Sequence, residues 1–235
     1  MKAATALAQP PAHRTRTRIR SLDLLGPAGR LEAVVNEGDE NAPLAALVCH
    51  PHPLGGGNLH NKTVFHTMKV LNEPRWGFNF PVLRFNFRGT GKSQGEHHGS
   101  AESGDVIAAL RWLKSEYNRP FILAGFSFGA AMALEACRDI DSSSAEIRAL
   151  IALGLPLKNG PRAYQHPALA ELAIPKLFLS GDRDQFAPAT ELKHVVAATA
   201  HPKKLVFIQG SDHFFTGQMT AMQIQIAAWL KEQLQ

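Results

Sequence analysis

The sequence predicts an α/β fold, a mostly parallel sheet with helices on both faces, and three observations carry that prediction. Short, β-rich apolar runs alternate with segments of helical periodicity along the chain. From residue 44 onward most of these runs are nearly continuous in apolar residues, as in LAALVCH, FILAGF, KLFLS and KLVFIQ. That is the pattern of strands covered on both faces. The first two runs are separated by Gly26-Pro27-Ala28-Gly29, which reads as the turn of an antiparallel hairpin at one edge.

In chain order the predicted strands are 17–25, 31–37, 44–50, 80–87, 121–126, 147–153, 175–180 and 204–209. Helices are expected near 60–72, 104–117, 128–138, 190–198 and 217–234. Val106, Ile107, Leu110 and Leu113 fall on one stripe of the second helix, and Met222, Ile226, Trp229 and Leu230 on one stripe of the last. Residues 154–174 contain Pro156, Pro161 and Pro167 and lack a strong period. They leave room for one short helix but not for a cap domain. The expected organisation is a flexible basic leader at 1–14 and one domain over 15–235.

An apolar fraction of 45% with 19% charged residues excludes wholesale disorder. A net charge of +5 would suggest a nucleic-acid or anionic partner if it covered the domain. It does not. Lys2, Arg14, Arg16, Arg18 and Arg20 precede the first acid, Asp23, and removing those five from 25 basic residues leaves 20 against 20 acidic ones. The body is neutral, so no nucleic-acid partner is expected. The leader lacks the apolar core of a secretory signal, and an Arg-rich organellar transit peptide is the alternative to a loose start. No run reaches the ~18 apolar residues of a membrane span, so no membrane is expected either. Cys49 and Cys137 lie in apolar segments and read as buried free thiols of a reducing, cytoplasmic compartment.

The sharpest feature is Gly125-Phe126-Ser127-Phe128-Gly129, standing between the run at 121–124 and the helical run at 130–136. Gly-x-Ser-x-Gly at a strand-to-helix junction is the context of a nucleophile elbow. The serine sits in a strained turn that exposes its hydroxyl, and glycines fit where backbone crowds that turn. A helix starting at Phe128 aims unpaired N–H groups and a positive dipole end at a developing oxyanion.

A serine hydroxyl needs a base, and the base needs an orienting group. Gly181-Asp182-Arg183-Asp184 follows the run ending at Ser180, and Gly210-Ser211-Asp212-His213 follows the next run. Carboxyl ends of parallel strands meet at one edge of a sheet, so both loops should reach Ser127. The order Ser127…Asp184…His213 is then an ordered nucleophile, acid and base. Asp212 is adjacent to His213 and should point away from it, and Asp182 is placed to turn its own loop. Asp184 reaches furthest from the strand end and is the expected orienting acid.

The second oxyanion donor is expected from the loop Cys49-His50-Pro51-His52-Pro53-Leu54-Gly55-Gly56-Gly57. Its prolines have no N–H, which points to the amide of Leu54 or His52 acting with that of Phe128. The same loop offers a rival, because His50-x-His52 at a strand end resembles a metal pair. No Asp-His follows within this loop, no His-Glu-x-x-His occurs in the chain, and His60 and His66 complete no ligand set, so no metal is expected. Arg88-Gly89-Thr90-Gly91-Lys92-Ser93 lacks the Walker spacing. It reads as a sharp turn beside the site, with Arg88 tied into polar contacts below it. Phe126, Phe128, Phe214 and Phe215 flank the catalytic positions, most as core and one or two as a wall for a small acyl chain.

From about residue 20 onward the chain resembles the α/β-hydrolase superfamily. His-Pro-His-Pro-Leu-x-Gly-Gly, His60-Asn61-Lys62, Arg84-Phe85-Asn86-Phe87-Arg88-Gly89-x-Gly91-x-Ser93 and Gly125-Phe126-Ser127-Phe128-Gly129 carry the resemblance. Within the superfamily it is similar to small, lidless bacterial serine hydrolases related to dienelactone hydrolases and the catalytic domains of Xaa-Pro peptidases. The resemblance implies an eight-stranded α/β-hydrolase sheet with its second strand antiparallel and a Ser127–Asp184–His213 triad. Dienelactone hydrolases proper use a cysteine where Ser127 stands, so lactone specificity is not implied. The expected activity is a serine esterase, needing no cofactor and acting on a small-molecule ester as monomer or homodimer. A thioesterase, a peptidase or a non-catalytic interaction protein of the same fold are the alternatives.

Overall fold

The computed structural model describes residues 18–139, 147–159 and 162–234, and the predicted leader at 1–14 lies outside them. β1 (Ile19–Gly26) and β2 (Gly29–Asn36) form the expected hairpin, paired from Ile19↔Asn36 to Gly26↔Gly29. The connection is therefore the two-residue turn Pro27-Ala28. Gly29 closes it with φ +113°, a conformation that side chains with a Cβ rarely adopt.

The elements that follow are β3 (Ala45–Cys49), α1 (Lys62–Asn72), β4 (Val82–Phe85), α2 (Ser103–Tyr117), β5 (Phe121–Phe126) and α3 (Phe128–Asp139). After them come β6 (Ile147–Leu153), the short strands β7 (Lys158–Asn159) and β8 (Arg162–Ala163), then β9 (Lys176–Gly181). The chain closes with α4 (Ala189–Ala197), β10 (Lys203–Ile208) and α5 (Met219–Gln233). Eight strands make one sheet in the order β1-β2-β4-β3-β5-β6-β9-β10. β2 runs antiparallel to both neighbours, and every other pair is parallel.

Two local reasons explain where the elements start and stop. Asn61 begins α1 by accepting the Thr63 and Val64 amides on its side chain. β4 ends at Phe85, two residues before its expected end, because the Phe87 amide leaves the ladder and donates to His50 Nε2. The stretch 154–174 holds the β7–β8 ribbon and a 3-10 turn at Pro167–Ala170 in place of a short α-helix. Strands of two residues carry no readable period, which is why this ribbon was not foreseen. Among the described residues no helical cap interrupts the sheet, and no helix is long and apolar enough to cross a membrane.

Alternation along β5 shows how the sheet divides the interior. Phe121 and Leu123 enter a core with Val106, Leu110, Leu134 and Leu192, under α2, α3 and α4. Ile122, Ala124 and Phe126 enter a second core with Met68, Leu71, Met222, Ile226 and Trp229, under α1 and α5. Burial on both faces is what makes these strands read as unbroken apolar runs.

The glycine-rich turn after β4 is tied to α2 by a buried ion pair. Arg88 donates from Nη2 to Asp105 Oδ1 at 2.6 Å and from Nε at 3.0 Å to Oδ2, while its backbone N–H reaches Oδ2 at 3.1 Å. The Asp105 side chain is fully buried. Removing one partner of such a pair strands the other charge, so Asp105→Ala should destabilise the fold by about 3–5 kcal/mol. A urea midpoint unchanged from wild type would contradict this.

Candidate active site

Ser127 occupies the one-residue junction between β5 and α3 with φ +53°, a strained conformation for a residue with a Cβ. Its amide donates to Leu153 O at 2.8 Å, and its carbonyl accepts the Ala130 and Ala131 amides. The flanking glycines have separate reasons. A Cβ on Gly125 would strike the backbone of Gly129 and Ala130, and one on Gly129 would stand 2.5 Å from both Cys49 O and His50 O. The turn of Ser127 thus rests directly on the end of β3. Phe128 is the first residue of α3, so its amide has no carbonyl within its own helix.

Asp184 lies in the loop after β9 and is buried. Its Oδ1 accepts the Phe186 amide at 2.8 Å and the Ala187 amide at 3.2 Å. Its Oδ2 accepts the Ser180 hydroxyl at 3.0 Å and stands 2.7 Å from His213 Nδ1. Burial pushes the carboxyl pKa up, but His213, the Phe186 amide and the Ser180 hydroxyl outweigh it and bring the pKa below the usual range. An ionised carboxylate only accepts, so Nδ1 is the ring nitrogen that donates to it.

The other two acids behave differently. Asp212 accepts the Phe214 amide at 3.0 Å and the Thr216 amide at 2.9 Å, shaping the loop that carries His213. The buried Oδ1 of Asp182 has no hydrogen-bond partner among the described residues.

His213 reaches the serine side of the sheet through Gly154, the residue after β6. A Cβ there would stand 3.0 Å from His213 Cε1 and 3.2 Å from the Phe126 ring. Because Ser127 bonds to Leu153, the neighbour of Gly154, serine and imidazole flank the same short piece of backbone. The imidazole is packed by Phe126 at 5.0 Å, Phe186 at 4.6 Å and Phe214 at 5.2 Å between ring centroids. Phe126, Phe128 and Phe215 are core residues, whereas Phe214 is 48% exposed beside the histidine.

The loop after β3 is pinned by His50. The Phe87 amide donates to its Nε2 at 3.0 Å, and its Nδ1 lies 2.6 Å from Pro51 O. Burial lowers its pKa to about 4, so the ring is neutral and protonated on Nδ1. With both nitrogens engaged by backbone, His50 is not available as a metal ligand, which removes the basis of the His50-x-His52 metal reading. The Leu54 amide is a further correction. It donates to His52 Nδ1 at 3.2 Å, and its side chain points to solvent, 81% exposed. The amides of Gly55 and Gly57 donate to His52 O and that of Gly56 to Pro53 O. Amides inside a tight turn bond within the turn, so the loop candidate narrows to His52.

Ser180, Gly154 and Phe186 were not foreseen as parts of the site. Ser180 offered one signal, a hydroxyl closing the apolar run 176–180. Gly154 and Phe186 meet His213 only through strand register and loop shape. A cavity of about 1220 Å³ opens elsewhere, among Phe78, Pro120, Ile174 and Leu234; neither Ser127, Asp184 nor His213 lines it.

Comparison with known proteins agrees with this architecture. The model of the alpha/beta hydrolase domain family matches residues 51–229. An uncharacterized protein of Rickettsia prowazekii is 37% identical over 201 residues, covering 81% of this chain and 79% of its own. Among solved structures, an alpha-beta serine hydrolase homologue from Coxiella burnetii is 31% identical with a TM-score of 0.77, covering 90% of this chain and 97% of that one. A serine hydrolase without lid from Xanthomonas campestris is 27% identical with a TM-score of 0.79, covering 95% and 97% respectively. With an eight-stranded sheet, an elbow between β5 and α3 and this match over most of its length, the chain belongs to the α/β-hydrolase family.

Proposed function

We propose that the protein is a serine hydrolase that cleaves small or short-chain carboxylic esters through an acyl-enzyme on Ser127. The observation that carries this reading is the buried Asp184–His213 contact of 2.7 Å, placed beside a serine held at positive φ. His213 Nε2 takes the Ser127 proton as the oxygen attacks the ester carbonyl. The oxyanion that forms is met by the Phe128 amide and by that of His52. The imidazolium returns its proton to the departing alcohol, and a water activated by the same nitrogen releases the acid. Asp184 holds the tautomer throughout. The half-exposed Phe214 ring offers an apolar wall beside His213, and the lack of a cap in the described residues favours short substrates over bulky lipids. The Coxiella and Xanthomonas proteins, described as serine hydrolases, support the same reading.

A fluorophosphonate probe tests it. The expected result is stoichiometric labelling of the peptide containing Ser127, with loss of short aryl ester hydrolysis in proportion. An enzyme that stays unlabelled while hydrolysing the ester, or one labelled on another serine, would overturn the assignment.

A further inference from the structure

Of the buried titratable side chains, His50 is one that the reaction as drawn leaves without a role. It follows the last residue of β3 and is fully buried. Two backbone groups hold its ring. The Phe87 amide donates to Nε2 at 3.0 Å, so the ring proton sits on Nδ1, 2.6 Å from Pro51 O. The first contact comes from the chain leaving β4. The second goes to the peptide unit that carries the His52 amide.

The carbonyl and N–H of a trans peptide share a plane and point opposite ways, and the Pro51–His52 bond is trans. Holding Pro51 O therefore aims the His52 N–H away from the His50 ring. The pyrrolidine of Pro51 fixes one of the two torsions that lead into this peptide, and the His52 ring is packed on Phe128, 5.0 Å between centroids. The far end of the loop closes on the same unit. The Gly57 amide donates to His52 O at 3.0 Å, and a Cβ on Gly57 would collide with Pro51 O. The end of β4 anchors the loop there as well: the Leu59 amide donates to Asn86 Oδ1 at 2.8 Å, and Leu59 O accepts from Arg84 Nη1 at 3.0 Å. Asn86 in turn donates from Nδ2 to Glu32 Oε2 at 2.8 Å, and a carboxylate only accepts, which fixes the orientation of its amide.

We propose that His50 is a positioning residue for the oxyanion: its Nδ1–H, donated to Pro51 O, turns the His52 N–H toward the oxygen that becomes negative when Ser127 attacks. This rests on the readings of Ser127 as nucleophile and of His52 as donor. His50 touches no substrate and acts through one peptide unit. The elbow leans on the same stretch, since Gly129 meets Cys49 O and His50 O, so the amides of Phe128 and His52 are referred to one piece of backbone. A donor aimed before the substrate arrives costs no reorganisation as the charge develops.

Two substitutions separate this role from a merely structural one. His50→Asn places an amide nitrogen where the imidazole has Nδ1 and can still donate to Pro51 O. His50→Gln reaches the place of Nε2 and can still accept the Phe87 amide, but leaves Pro51 O without its donor. His50→Gln should lower kcat on an aryl acetate about 10- to 100-fold with KM changed by less than about threefold. It should weaken by the same factor an aryl trifluoromethyl ketone, whose adduct with Ser127 carries the oxyanion. His50→Asn should keep kcat and ketone affinity within about threefold of wild type, and urea midpoints report whether both variants fold. An equal loss of kcat in the two, a loss in His50→Asn alone, or a folded His50→Gln protein with wild-type kcat would overturn the proposal. A measurement on the wild-type protein needs no variant to fold: in ¹H–¹⁵N spectra the His52 amide proton should move downfield when the ketone binds, while His50 Nδ1 keeps its proton. A His52 amide unmoved by the ketone, or an unprotonated Nδ1, would also overturn it. If Ser127→Ala binds the ketone as tightly as wild type, the reading of the nucleophile fails instead.

Discussion

Ser127→Ala is expected to reduce kcat on short aryl esters by about 10⁴- to 10⁶-fold while leaving the fold almost unchanged. The size of the loss follows from the position of the side chain in the proposed reaction, in which every other group acts on its oxygen. Stability should survive because the replacement keeps a Cβ and adds nothing that Gly125 and Gly129 must accommodate. The positive φ costs an alanine about as much as a serine. A urea midpoint near that of wild type, together with loss of turnover, is the expected pair of results. Retained turnover would mean that hydrolysis proceeds elsewhere.

Asp184→Asn should be nearly as severe in rate, with kcat falling by about 10⁴-fold. The substitution keeps the shape but replaces an acceptor of two-oxygen capacity with a group that has one acceptor and one donor. His213 Nδ1–H, the Ser180 hydroxyl and the Phe186 and Ala187 amides all point at this carboxylate. Some of these donors must go unmet, and the imidazole loses the partner that keeps its proton on Nδ1. A stability loss of about 1–3 kcal/mol at neutral pH accompanies the kinetic one. Its pH dependence has a definite sign. The native carboxyl pKa is depressed, so its contribution is present above the unfolded value of about 3.9 and fades as pH falls through the lower, folded value. Urea midpoints of wild type and variant should therefore converge in acid; a gap that widens there would contradict the assignment.

The candidate catalytic residues were legible because parallel strands send their carboxyl ends to one edge. Ser127 after β5, Asp184 after β9 and His213 after β10 needed only correct strand identities, which the apolar runs supplied. The order of strands across the sheet was not legible, since no local pattern says that β4 lies between β2 and β3. Ser180 and Gly154 escaped notice for a related reason: their contacts exist only once β9 is in register with β6 and β10. Leu54 was misjudged because counting amides in a loop does not show which ones the turn itself engages.

The glycine contacts at this edge have a consequence for redesign. At Gly129 the elbow touches the carbonyls ending β3, and at Gly181 the strand end touches the carbonyls of Ser211 and Asp212. Main chain meets main chain at both places, with no side chain between to be trimmed or enlarged. The turn of Ser127 and the loop after β3 form one rigid casting, and the loops of Asp184 and His213 another. Attempts to retune the pocket by moving the loops would have to break these seams. What remains adjustable is the set of side chains packed around these seams, with His52 beside the Phe128 ring and Phe186 and Phe214 beside His213.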